Sequence, residues 1–148
     1  MARPKSYRDL IAWQKAMSLA KCVYKMTESL PRREAYGLVD QIRRAAVSVA
    51  SNIAEGYGRL SDLQFRHFLG NARGSLCEMR TQVELAIDLG YIDMEIGQQL
   101  MDQSAEVGRI LNGLIASLRS TGGAKAAKSN SANTANSANT ANNAKAHV

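Results

Sequence analysis

The sequence predicts an all-α protein, an antiparallel up-down-up-down four-helix bundle followed by a disordered C-terminal tail. Three observations predict this. Apolar residues recur at helical spacing in four runs of similar length. The only two prolines, Pro4 and Pro31, fall outside those runs. The connections, at about residues 29–35, 58–60 and 90–92, are short enough to require antiparallel neighbours. A chain of 148 residues, 45% of them hydrophobic, builds one such core and not two. The predicted division is a bundle domain over 1–119 and a low-complexity tail over 120–148.

The first run starts near Ser6, with Asp9 as its capping partner, and ends at the Leu30-Pro31 break. Leu10, Trp13, Met17, Ala20 and Tyr24 form one apolar row, and Ala16, Leu19, Val23 and Met26 form a second beside it. So wide a face suits a helix that meets a second partner besides its own core. Trp13 and Tyr24 follow the apolar repeat, which makes them core or interface anchors before base-stacking platforms.

The second run, from about Tyr36 to Tyr57, places Leu38, Ile42, Ala45, Ala46, Val49 and Ile53 on one side. Val47, Ala50 and Ala54, around Arg43, form a shallow secondary strip that this core does not need, a candidate subunit contact. Gly56 and Gly58 are expected to close the helix in left-handed geometry.

Ser61 caps the third run, with Asp62 in the first turn and Gln64 at the capping-box position. Its core row is Phe65, Phe68, Ala72, Leu76, Met79, Val83 and Ala86, and Gly90 ends it. Gly70 and Gly74, each costing about 1 kcal/mol against alanine, suggest close helix approach. Asp93 caps the fourth run, with a near-heptad seam of Ile96, Leu100, Val107, Leu111, Leu114 and Leu118. Beyond Ser120, Ser-Ala-Asn-Thr-Ala-Asn at 131–136 recurs at 137–142, and this composition supports no core. The tail reads as a neutral appendage or, through its three lysines, a tether to nucleic acid.

Chemistry has little to be built from. Two His and two Cys leave no metal cluster or Cys/His pair, and phosphate-loop, zinc-protease and serine-hydrolase motifs are absent. The expectation is therefore no enzyme, no cofactor and no metal. Cys22 and Cys77 read as reduced residues at the core edge, and His67 as solvated. Without a membrane span or a signal-peptide core in Met1–Arg8, the expected location is cytoplasmic, with no membrane partner.

The net charge of +6 is uneven: residues 1–80 hold 14 Lys/Arg against 7 Asp/Glu, and residues 81–120 hold 2 against 6. Arg59, Arg66, Arg73 and Arg80 recur every seven residues, drifting about 20° and climbing about 10.5 Å per step, so they form one stripe. Arg43 and Arg44 add charge from the second helix. Arginine forks suit phosphate, which makes these six the candidate nucleic-acid contacts. The competing reading is a solvated face, with Asp62–Arg66 and Arg80–Glu84 as intrahelical pairs.

Tyr7-Arg8-Asp9-Leu10-Ile11-Ala12-Trp13-Gln14-Lys15-Ala16, Tyr36-Gly37-Leu38 and the run from Gln41 through Ser51-Asn52-Ile53-Ala54-Glu55-Gly56 resemble the four-helix bundle proteins encoded in intervening sequences of bacterial 23S ribosomal RNA genes. Gly74-Ser75-Leu76-Cys77-Glu78, Glu84-Leu85-Ala86, Gly90-Tyr91-Ile92 and the stretch from Val107 to Ile115 match as well, so the resemblance spans about residues 6–119. It implies an antiparallel bundle in a homopentameric ring with a nucleic-acid role. The chain is also similar to accessory variability determinant (Avd-like) proteins of diversity-generating retroelements, whose rings hold RNA and a reverse transcriptase. The family pattern often carries proline where this chain has Ala50.

On this reading the protein is a non-catalytic, homo-oligomeric RNA-binding accessory protein. Its interface candidates are Trp13, Val47, Ala50, Asn52, Ala54 and Glu55. Asn52 and Glu55 are polar contacts to a neighbouring helix or subunit, or, for Asn52, to RNA. The alternative is a scaffold that binds a reverse transcriptase or another protein and has little RNA affinity of its own.

Overall fold

The computed structural model describes the backbone of residues 4–144 and the side chains of residues 4–119. It is an all-α four-helix bundle: α1 (Ile11–Thr27), α2 (Leu38–Tyr57), α3 (Asp62–Asp88) and α4 (Met94–Ala144), with 3-10 turns at Tyr7–Asp9 and Arg32–Glu34. The expectation of a disordered tail concerns residues beyond the described side chains.

The Ser6–Asp9 capping pair forms, but it closes a 3-10 turn rather than the first helix. The Ser6 hydroxyl accepts from the Arg8 amide at 3.2 Å, and the Asp9 carboxylate accepts from the Ser6 amide at 3.1 Å. Leu10 is then extended, so α1 starts at Ile11 and the Tyr7 ring lies edge-on to Trp13, 5.3 Å between centroids. At the other end of the chain's first half, the Tyr57 hydroxyl donates to the Pro4 carbonyl and ties this segment to α2.

Each helix packs on its sequence neighbours, α1 closes onto α4, and among the described residues the diagonal pairs stay apart. The contacts run in opposite directions along successive helices. Ser48 meets Ser75 while Gly56 meets Phe65 and Phe68, and Arg73 meets Asn112 while Gly97 meets Ile87. The core is a column of Leu19, Val23, Ile42, Val49, Ile53, Leu69, Met79, Val83, Leu100, Val107 and Leu111. Burying each such side chain stabilises the fold by about 1.5–3 kcal/mol. Ser104 sits fully buried in the α4 seam and satisfies its hydroxyl on the Met101 carbonyl at 2.8 Å.

Several positions differ from the periodicity. Leu69 is fully buried whereas Phe65 and Phe68 are only half-buried: α3 is set so that Leu69 enters the core while Phe65 and Phe68 lie against Gly56 of α2. Ile96 is exposed, and Cys22 and Cys77 are exposed free thiols rather than core-edge residues.

The glycines also change roles. Gly58 ends α2 at φ −73°, so no left-handed residue closes that helix. Gly56 instead lies where an added Cβ would come within 2.7 Å of Phe68 Cβ, and Gly97 where it would meet Ile87 at 2.4 Å. These two permit close helix approach. Around Gly70 and Gly74 a Cβ would meet open space. Gly90, at φ 74°, terminates α3: its amide bonds to the Ile87 carbonyl, and the Tyr91 amide to the Ala86 carbonyl, both at 2.9 Å.

That termination delivers Tyr91 to the α1–α2 connection. Its hydroxyl donates to Glu34 at 3.3 Å and accepts from the Arg33 guanidinium at 3.4 Å. The hydrogen bond to Tyr91 raises the Arg33 pKa above its ordinary value. The second Glu34 oxygen accepts from the Leu38 amide at 3.3 Å, which satisfies a donor at the start of α2.

Gly56→Ala is expected to lower stability by about 1–2 kcal/mol, steric overlap with Phe68 outweighing the gain in helix propensity. Gly74→Ala is expected to raise it by about 0.5–1 kcal/mol. Urea unfolding midpoints of the two variants should move in opposite directions.

Candidate functional site

Small residues on α2 let α1 approach closely, and the two helices leave an apolar groove of about 640 Å³ between their outer faces. Trp13, Met17 and Tyr24 line it from α1, and Val47, Ala50 and Ala54 from α2. Val47 is 43% exposed and Tyr24 46%, so sizeable apolar surface faces outward. The fold thus brings together four of the six interface candidates.

Asn52 and Glu55 lie elsewhere. Asn52 donates to the Ser48 carbonyl at 2.8 Å and to the Ser48 hydroxyl at 3.0 Å, and that hydroxyl contacts Ser75 of α3 at 2.9 Å. Asn52 therefore belongs to a polar link between α2 and α3. Glu55 pairs with Arg59 at 2.6 Å.

The six arginines do not share one environment. Arg43 Nε donates to the Thr27 hydroxyl at 2.8 Å and Nη2 to the Tyr24 carbonyl at 3.2 Å, with the guanidinium 4.6 Å from the centre of the Tyr24 ring. Thr27 is buried, and its hydroxyl donates a hydrogen bond to the Val23 carbonyl at 2.8 Å. Arg43 is thus a brace that places positive charge at the C-terminal end of α1, where the helix dipole favours it. Arg44 is occupied by Asp40 at 2.9 Å.

The stripe on α3 holds Arg66, Arg73 and Arg80 only, because the helix starts at Asp62 and leaves Arg59 in the preceding turn, where it pairs with Glu55 and stacks on Phe68 at 4.6 Å; Arg73 donates to Asn112 of α4 at 3.1 Å. Arg66 is half-buried and enters no ion pair among the described residues. Arg80 lies in a groove between α3 and α4 beside Glu84, Asp88 and Asp102, and its Nε is buried without a hydrogen-bond partner. The Arg80–Glu84 pair does not form within ion-pair distance among the described residues. Among the described residues Arg66, Arg73 and Arg80 enter no ion pair, and of the three Arg80 shares a groove with three carboxylates.

Sequence reasoning missed the bracing role of Arg43 and the Ser48–Ser75 link. The signal for the first was available in Thr27 and Tyr24, the last polar and aromatic positions of α1; the second pairs residues 27 apart and had no local signal. Among the described residues no cluster of His, Cys, Asp and Glu could hold a metal ion, and no helix is long and apolar enough to cross a membrane. His67 is exposed, edge-on to Phe68 at 5.7 Å.

A family model described as 23S rRNA-intervening sequence protein matches residues 8–113, which include the α3–α4 groove, the α1–α2 groove apart from Tyr7, and all six arginines. In fold the chain is similar to the crystal structure of a protein with unknown function from the S23 ribosomal protein family from Bacteroides thetaiotaomicron. The TM-score is 0.65 and the identity 24%, over 71% of this chain and 98% of that one. No curated protein matches.

Replacing Arg43 by methionine keeps most of its apolar stem and removes both hydrogen bonds to α1. A loss of about 1–3 kcal/mol is expected in chemical denaturation, whereas Arg44→Met, at an exposed pair, should change stability by less than about 1 kcal/mol.

Proposed function

The chain belongs to the family of 23S rRNA-intervening sequence proteins, and from that premise we propose that it is a non-catalytic accessory protein that assembles with copies of itself and binds RNA. The observation that carries the RNA reading is the pair Arg66 and Arg73, one heptad apart on α3 and in no ion pair among the described residues, with Arg59 nearby in the α2–α3 turn. Glu84, Asp88 and Asp102 lie toward the opposite end of α3, so the field along this edge changes sign and orients a polyanion toward the Arg59 end. Arg80 and Arg43 drop out of the contact set on this reading, the first for its acidic surroundings and the second for its bonds to α1.

Self-assembly is supported by the α1–α2 groove, an apolar surface that the monomer leaves uncovered. A closed ring, with five copies as the family resemblance implies, gives each groove a partner without leaving a free edge. The same groove favours a second reading, in which it seats a different protein such as a reverse transcriptase and RNA arrives with that partner.

Binding of structured RNA by the full chain should weaken steeply with salt, and Arg66→Gln/Arg73→Gln should reduce the log-log salt slope by about 1.5–2. Salt-independent binding, or an unchanged slope in the folded double variant, overturns the RNA reading. Val47→Glu, at a position already partly exposed, should leave helicity intact and, at high salt, shift sedimentation toward the monomer. Retention of the assembly in that variant rules out the groove as its contact.

A further inference from the structure

The bundle carries two further uncovered surfaces of opposite character. One is the tip formed by the α2–α3 turn. Leu60 is 102% exposed and Leu63 68% exposed, with Arg59 and Arg66 on either side in sequence. Leu60 directly precedes the Ser61 cap, the position from which an apolar side chain ordinarily folds back on the fourth helical residue, here Phe65. It does not fold back, so among the described residues nothing accounts for a leucine there.

The other is the α3–α4 groove of about 440 Å³. Ile87, Met94 and Met101 supply its apolar lining, and Glu84, Asp88 and Asp102 its charge, against the one lining arginine, Arg80. Met94 is 74% exposed. Asp88 stands in the last turn of α3, which carries no basic residue, so its charge adds to the negative end of the helix dipole rather than offsetting it. The groove calls for a cationic, apolar occupant of modest size.

We propose that this occupant is the α2–α3 tip of a second copy of the chain. Leu60 and Leu63 enter between Met94 and Met101, and Arg66, which enters no ion pair among the described residues, meets Asp88 and Asp102. Charge and apolarity are complementary on both sides, and the two surfaces lie toward opposite ends of α3, so they cannot satisfy each other within one molecule. Such a contact joins two different faces. It propagates head to tail, is distinct from contact through the α1–α2 groove, and weakens as salt screens the charges.

The test is sedimentation velocity of the full chain, stripped of nucleic acid, at low and high salt. The expected result is an association step at low salt that dissolves at high salt. Leu60→Ser/Leu63→Ser, which alters the tip, and Asp88→Lys/Asp102→Lys, which alters the groove, should each weaken that step by about tenfold or more. Both pairs are exposed, and circular dichroism checks that each variant stays folded.

Mixing the two variants should restore association, because one retains an intact groove and the other an intact tip. The assignment is overturned if either variant alone retains the step, or if the mixture stays at the size of its components. It is also overturned if the unmodified chain shows no salt-sensitive step, as when the tip serves RNA or the groove a basic peptide. Arg66 serves both readings, so the leucine and aspartate variants, which leave Arg66 and Arg73 in place, test this contact independently of RNA binding.

Discussion

The close approach of α2 to both of its neighbours is the constraint on which the rest of the bundle depends. Ala45, Ala46 and Ala50 keep the buried surface of α2 low, and Gly56 lets the start of α3 pass where even one Cβ would strike Phe68. With backbones this near, Ile42, Val49 and Ile53 reach full burial, and Ser48 comes within hydrogen-bond distance of Ser75. The same small residues shape the outside. Ala50 and Ala54 leave the floor of the α1–α2 groove shallow, and the aromatic walls, Trp13 and Tyr24, come from α1. Core packing and the candidate assembly surface are therefore two faces of one choice of side-chain size.

Much of the fold was legible because the information is local. The Ser61 cap, the Gly90 stop and the apolar rows of α2 and α4 each follow from residues within a turn or two of one another. What failed was of another kind. A capping box at Ser6–Asp9 is satisfied equally well by a single 3-10 turn, so its presence does not fix where a long helix begins. Glycine spacing in α3 says nothing about what lies opposite: Gly70 and Gly74 face open space, whereas Gly56 and Gly97 sit against Phe68 and Ile87. The rotational setting of α3, which buries Leu69 ahead of the two phenylalanines, depends on α2 and has no local signature.

The arginines separate in the same way. A heptad repeat fixes the phase of Arg66, Arg73 and Arg80 on α3, with Arg59 outside it in the α2–α3 turn, but their chemistry comes from what the other elements deliver. Asn112 arrives beside Arg73, Glu55 beside Arg59, and Asp102 beside Arg80. Arg43, adjacent in sequence to the exposed Arg44, turns toward the end of α1 because Thr27 offers a buried oxygen there. The net charge of +6 is thus a sum over groups in opposing circumstances, and among the described residues Arg66 and Arg73 contribute charge that enters no ion pair.

Tyr91 joins connections that lie far apart in sequence. Through Glu34 and Arg33 it ties the α3–α4 turn to the α1–α2 connection, and Glu34 in turn holds the first amide of α2. Fraying at that end of the bundle cannot proceed one loop at a time, since release of either loop frees the hydroxyl that steadies the other. The two loops form a single unit of local opening, with amide protection gained and lost in step.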